Sequence, residues 1–167
     1  IAFSHEPATT IAVADFDGDG AIDLAVPFRD GGQSHAYLND GHAAFQQRLP
    51  FGPTDAQFRM AAAADMNGDG RADLVAIDEK RGVFVFLAEN GAFAEGALIG
   101  SRKAVPYALA LSDLNNDSKT DVVVGHVGAR SVVYFNNGSG RTFTPVEFGD
   151  GKGTVSGFAI ADFDKDG

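Results

Sequence analysis

Short apolar stretches alternate with polar ones along the chain, in an order that recurs. A small-residue apolar stretch comes first: Thr10 to Ala14, Met60 to Ala64, Tyr107 to Leu111 and Phe158 to Ala161. Each runs into a cluster of aspartates. After the first three clusters comes a second apolar stretch, Ile22 to Phe28, Ala72 to Ile77 and Thr120 to Val124. It is apolar on both faces, as a strand covered by neighbouring sheets should be. A polar turn (29–33, 78–82, 126–130) leads to a third strand, Ser34 to Leu38, Val83 to Leu87 and Ser131 to Phe135. Each third strand is followed by Asn-Asp-Gly, Glu-Asn-Gly or Asn-Asn-Gly, all hairpin signals. An outer strand is expected near Phe45, Phe93 and Phe143, and a link of about seven residues after Phe51, Gly100 and Gly149. Ala61 to Ala64 favours helix on propensity, but four residues are too few and its counterparts are strand-like.

The aspartate clusters give the period. They begin at Asp15, Asp65, Asp113 and Asp162, spaced 50, 48 and 49 residues apart. Four antiparallel strands in a repeat of this length predict one blade of a β-propeller, with blade units at about 9–51, 59–100 and 107–149 and the start of a fourth at 157–167. The fold class is therefore all-β. Three blades and a stub cannot close a ring, so the open edges are expected to be covered by further blades of a parent chain or by self-association.

Oxygen-bearing side chains recur at positions 1, 3, 5 and 9 of each cluster: Asp15, Asp17, Asp19 and Asp23; Asp65, Asn67, Asp69 and Asp73; Asp113, Asn115, Asp117 and Asp121. The fourth has only Asp162, Asp164 and Asp166, so an incomplete site is expected there. Packing carboxylates this densely without a countercharge is costly, and hard oxygen ligands with no Cys or His point to Ca2+. The backbone carbonyls of Ala21, Arg71 and Lys119 at position 7 would complete each shell. An EF-hand is excluded because position 12 is Val26, Ala76 or Val124 where Glu is required. Gly20 and Gly70 allow the sharp turn at position 6. Ser118 and Asn116 depart from the glycine pattern in the third loop, so that site is expected to be strained or weaker.

Charge and composition refine this reading. Thirteen of the 23 acidic residues lie in the four loops, so the formal charge of −10 is largely a metal-site signature. The same charge argues against nucleic acid or an anionic membrane as partner. No apolar run reaches membrane-spanning length. Cys is absent, and loops of this acidity would be loaded where calcium is millimolar, so an extracellular or cell-surface setting is expected. The chain begins at Ile1 without Met and ends at Gly167 inside a loop, as a piece of a longer processed protein would.

The loop from Asp15 to Asp23 with its following IDLAV, the copies with ADLVAI and TDVVVG, and the Asn-Gly hairpins resemble the FG-GAP and VCBS repeat family. That family supplies the calcium-bearing blades of integrin alpha-subunit propellers and of many secreted bacterial and fungal proteins. The resemblance covers essentially the whole chain and implies a parent propeller, commonly of seven blades.

Strand order puts the aspartate loops and hairpins on one face, and the second-to-third-strand turns and inter-blade links on the other. Propellers commonly bind ligands on that other face. Its candidates are Arg29, Asp30, Arg59, Asp78, Lys80, Arg81, Arg102, Lys103, Tyr107, His126 and Arg130, with Arg59, Tyr107, His126 and Arg130 foremost. Arg and aromatic side chains could hydrogen-bond and stack on a sugar. The expected role is binding: adhesion, or recognition of carbohydrate or an extracellular protein. His5, His35, His42 and His126 fall in no catalytic motif, so an enzyme is the less favoured class. The alternatives are the propeller domain of a secreted polysaccharide lyase or dehydratase, built on Tyr107, His126 and Arg130, and a calcium-responsive switch. Two glycosylation sequons begin at Asn116 and Asn137, the first inside a metal loop where a glycan would be awkward.

Overall fold

The computed structural model describes residues 7–100 and 103–164. Among them there is no helix, and the chain forms three four-stranded antiparallel sheets, the blades of a β-propeller. The first is β1 (Ala12–Ala14), β2 (Asp23–Val26), β3 (Ser34–Leu38) and β4 (Gln47–Phe51), in that spatial order. The second takes β5 (Phe58–Ala64), β6 (Asp73–Asp78), β7 (Gly82–Phe86) and, after a small hairpin of β8 (Ala88–Glu89) and β9 (Ala92–Phe93), the outer strand β10 (Ala97–Leu98). The third is β11 (Val105–Ser112), β12 (Asp121–Val127), β13 (Ser131–Asn136) and β14 (Phe143–Phe148).

The innermost strands neighbour one another in the order β1, β5, β11. Two cores lie between the sheets. Between the first and second, Leu38, Phe51, Phe58, Leu74 and Phe86 pack with six alanines and Phe16 in a phenylalanine-rich cluster. Between the second and third, Val75, Ile77, Val83, Val85, Leu109, Val122, Val124 and Tyr134 form an aliphatic one. Strand β6 is covered on both sides, and all six of its residues are buried, which explains its unbroken apolar centre. Val26, Phe28 and Tyr37 form a smaller cluster with Phe45, apart from these two cores. On the third sheet Val146 and Phe148 stay exposed.

Successive blades are also tied through the backbone. Phe58 N–H donates to Phe28 O at 3.0 Å, and Val155 N–H donates to His126 O at 3.3 Å. Both donors lie seven residues before an aspartate loop; between the second and third blades that place is held by Pro106, which has no N–H to give.

Three expectations are corrected. The strand expected at Phe158 to Ala161 is irregular and mostly exposed, and no strand pairs with it among the described residues. The outer strand expected near Phe93 lies at β10 instead. Phe93 belongs to the β8–β9 hairpin, turned by Asn90 and Gly91 in left-handed conformation, and packs edge-on against Phe16 and Phe51. The first outer strand begins at Gln47, two residues beyond Phe45, which joins the Tyr37 cluster.

Candidate metal centres and recognition surfaces

Each aspartate loop is curled by its own backbone. In the first, the two Asp15 carboxylate oxygens accept from Gly18 N–H at 2.7 Å and Gly20 N–H at 2.9 Å. Asp17 accepts from Asp19 N–H, and Asp19 from Ala21 N–H. The second loop repeats the pattern, Asp65 to Gly68 and Gly70, Asn67 to Asp69, and Asp69 to Arg71. In the third, Asp113 accepts from Asp117 and Ser118, Asn115 from Asp117, and Asp117 from Lys119. Alternate side chains thus converge, and Asp15, Asp17 and Asp19 each bring an oxygen within 4.8 Å of the others. That all-oxygen donor set fits a hard divalent cation.

The loops differ in charge. Asp17 lies above the ordinary carboxylate range, raised by desolvation and then by the charges of Asp19, Asp23 and Asp15. Asp69 lies below it, held down first by the Arg71 N–H, and Asp117 first by the Lys119 side chain. Arg71 reaches Asp69 Oδ2 at 2.6 Å and Lys119 reaches Asp117 Oδ2 at 3.1 Å. Ala21 gives the first loop no such partner.

The position 9 aspartates do more than the sequence suggests. Asp23, Asp73 and Asp121 are fully buried. One oxygen of each accepts from the loop (Phe16, Met66 or Leu114 N–H), and the other from a residue at the end of the third strand or within two residues beyond it (Asn39, Ala88 or Asn136 N–H), at 2.7–3.0 Å. They staple loop to hairpin within each sheet, and each oxygen keeps a second lone pair for a cation. Burial raises the Asp73 carboxyl above its usual value. In the fourth cluster Asp162 and Asp164 are exposed, and Asp166 lies outside the described residues.

Among the residues proposed for the opposite face, Arg59 and Tyr107 come together but engage each other. The Arg59 guanidinium stacks 3.4 Å from the Tyr107 ring centroid, donates to Tyr107 O at 3.1 Å and to Glu79 at 2.9 Å, and its side chain is only 16% exposed. Glu79 also accepts from Arg29. His126 is buried, with Nδ1–H donating to Arg130 O at 2.8 Å, and burial lowers its pKa. Tyr107 stands at a bulge opposite the Gly125–His126 step. Arg130 is exposed; Arg102 and His5 lie outside the described residues.

A feature the sequence reading missed lies between the first and second sheets. A cavity of about 430 Å³ is lined by Gln33, Phe51 and Gly52 on one side and Phe84, Phe86, Phe93 and Glu95 on the other. Phe51 and Phe86 are buried beneath it, while Phe84 and Phe93 are partly exposed. Gly52 and Gly96 line it without side chains, because a methyl at either would stand 2.3 Å from a Phe58 or Phe86 ring atom. The signal was the concentration of five of the 14 phenylalanines between positions 51 and 93.

A solved lectin from Agrocybe aegerita, which specifically recognises non-reducing terminal N-acetylglucosamine, superposes on the chain with a TM-score of 0.59. The two share 24% identity over 83% of this chain and 37% of the lectin, so the chain spans little more than a third of that protein. This likeness speaks for the fold. No curated protein matches the sequence significantly. The FG-GAP-like repeat matches three times, at residues 15–76, 65–124 and 113–167, the first two matches running from one aspartate loop through the next and into the strand after it, and the third from the third loop into the fourth aspartate cluster. Together the matches cover the chain from its first loop onward, and the chain belongs to the FG-GAP-like repeat family.

Proposed function

We propose that the chain is a calcium-stapled extracellular recognition module that binds carbohydrate in the cavity between its first two blades. The observation that carries the binding role is that cavity: partly exposed Phe84 and Phe93 offer apolar ring surface, and Gln33 and Glu95 offer hydrogen-bonding groups beside it. Aromatic surface with a few placed polar groups is the usual make-up of a small-ligand site, and the volume suits one or two sugar rings. The sugar-binding lectin of like fold supports the same reading.

Calcium is assigned a structural part. Asp15, Asp17, Asp19 and Asp23, with their counterparts in the next two loops, would hold three ions, and none of these groups would turn over substrate. At a Kd of about 0.1 mM per site, about 2 mM calcium adds on the order of 2 kcal/mol of stability per site. The test pairs a glycan array with thermal melts at millimolar calcium and after chelation. Binding of a defined set of glycans and a lower Tm on chelation are expected. An array without hits in calcium overturns the carbohydrate role, and an unchanged melt with metal verified absent overturns the stapling.

A further inference from the structure

We infer that the cavity between the first and second blades selects a sugar carrying a free ammonium group, and that Glu95 is the residue that selects it. The inference rests on the carbohydrate reading above and names the ligand class of the same site.

The polar side chains of this cavity can only accept. Gln33 Nε2 lies 3.2, 3.0 and 3.0 Å from the carbonyl oxygens of Ser34, Phe51 and Gly52, so its donors are consumed and its amide oxygen is what remains. Glu95 is exposed, and among the described residues no side chain pairs with it. Among the described residues no Lys, Arg or His lines the cavity. A ligand must therefore bring donors, and one that brings positive charge meets a carboxylate beside the partly exposed rings of Phe84 and Phe93, a setting that also favours cations through the ring faces. A uronate would put its carboxylate against Glu95 and find no cation to receive it. An N-acetylated sugar keeps the stacking and the hydroxyl donors but gains nothing from the charge. Exclusion of the wrong ligand by an unmatched charge is how such specificity is commonly built.

The experiment is calorimetric titration of the calcium-loaded chain with three tetramers: glucosamine, N-acetylglucosamine and glucuronate. The glucosamine tetramer is expected to bind about five- to tenfold more tightly than the acetylated one, the range of an exposed charge pair reinforced by aromatic faces, with the glucuronate tetramer weakest. Glu95→Gln should erase the preference, so that the glucosamine and acetylated tetramers bind alike; Glu95→Lys should move preference to the glucuronate. Glu95 is exposed, and unchanged melts of both variants would verify folding. Equal or tighter binding of the acetylated tetramer to the wild type overturns the inference and leaves the carbohydrate reading standing. A glucosamine preference that survives Glu95→Gln also overturns it, because the general acidity of the chain would then be the cause. Failure of all three tetramers to bind, in a chain whose array also lacks hits, overturns both.

Discussion

Asn116 and Ser118 stand where the first two loops have Gly18 and Gly20, and Gly68 and Gly70. The backbone does not adapt to them: φ is +57° at Asn116 and +66° at Ser118, in the same left-handed region as the glycines. That conformation costs an L-residue about 1–2 kcal/mol, and Asn tolerates it better than Ser does. The loop is held there regardless, because Ser118 N–H must reach Asp113 Oδ2 at 2.8 Å for the curl to close. Ser118→Gly is therefore expected to stabilise the chain by about 0.5–1 kcal/mol, after allowing for the freer unfolded state that glycine brings. Urea unfolding in chelator measures this without the ion, and a loss of stability would show that the serine side chain contributes more than its backbone costs.

At the scale of the element, the second blade departs most from the pattern. Its outer strand β10 has two residues against five in β4 and six in β14. The chain is diverted into the β8–β9 hairpin, which places Phe93 over Phe51 and leaves the cavity open. Gly96, at the start of the return path, lies against the Phe86 ring, where an added methyl would stand 2.3 Å from Cε1. Phe86 is wedged against Phe51, Phe58 and Phe84 at 5.8–6.0 Å between centroids, so it has little room to yield. Gly96→Ala should cost about 1–3 kcal/mol by overpacking and weaken ligand binding in the cavity, both readable from one ligand-dependent melt. A melt indistinguishable from wild type would mean that the ring cluster repacks freely. What was legible in the sequence follows from the same contrast. Strand type, order and period were readable because alternation and Asn-Gly turns are local signals, and β3 and β7 begin within a residue of the expected place. The β10 displacement was not readable, because Phe93 is drawn to Phe51 and Phe16, residues of another blade that no window around it contains. The aspartate loops were legible for the same local reason. The hidden part was the second role of Asp23, Asp73 and Asp121, which depends on a hairpin about fifteen residues further on.

Across the whole molecule the two faces do different work. The aspartate loops gather acid on one face, while on the other an ion-pair ladder runs from blade to blade: Arg29 of the first to Glu79 of the second, Glu79 to Arg59, and Arg59 over Tyr107 of the third. Residues that looked like ligand contacts from their type and face are thereby joints between blades, and neither periodicity nor spacing distinguishes the two uses of an arginine. Glu79 is the one acid in the ladder. Burial alone would raise its pKa, but hydrogen bonds and charge from Arg59 and Arg29 outweigh this and hold it below the ordinary value. A carboxyl whose folded-state pKa is depressed stabilises the fold above its unfolded value, and that contribution disappears as pH falls through the folded value. Glu79→Gln is expected to lose about 1–2 kcal/mol at pH 7, a moderate figure because the Glu79 side chain is 22% exposed. The deficit should shrink as pH falls below the ordinary glutamate value and the wild-type carboxyl titrates, so the two stability curves converge in acid. Denaturant unfolding of both proteins in chelator across that range separates the ladder from the metal loops. A gap that stays constant throughout the acid limb would show that Glu79 holds the blades by packing and that its charge is idle.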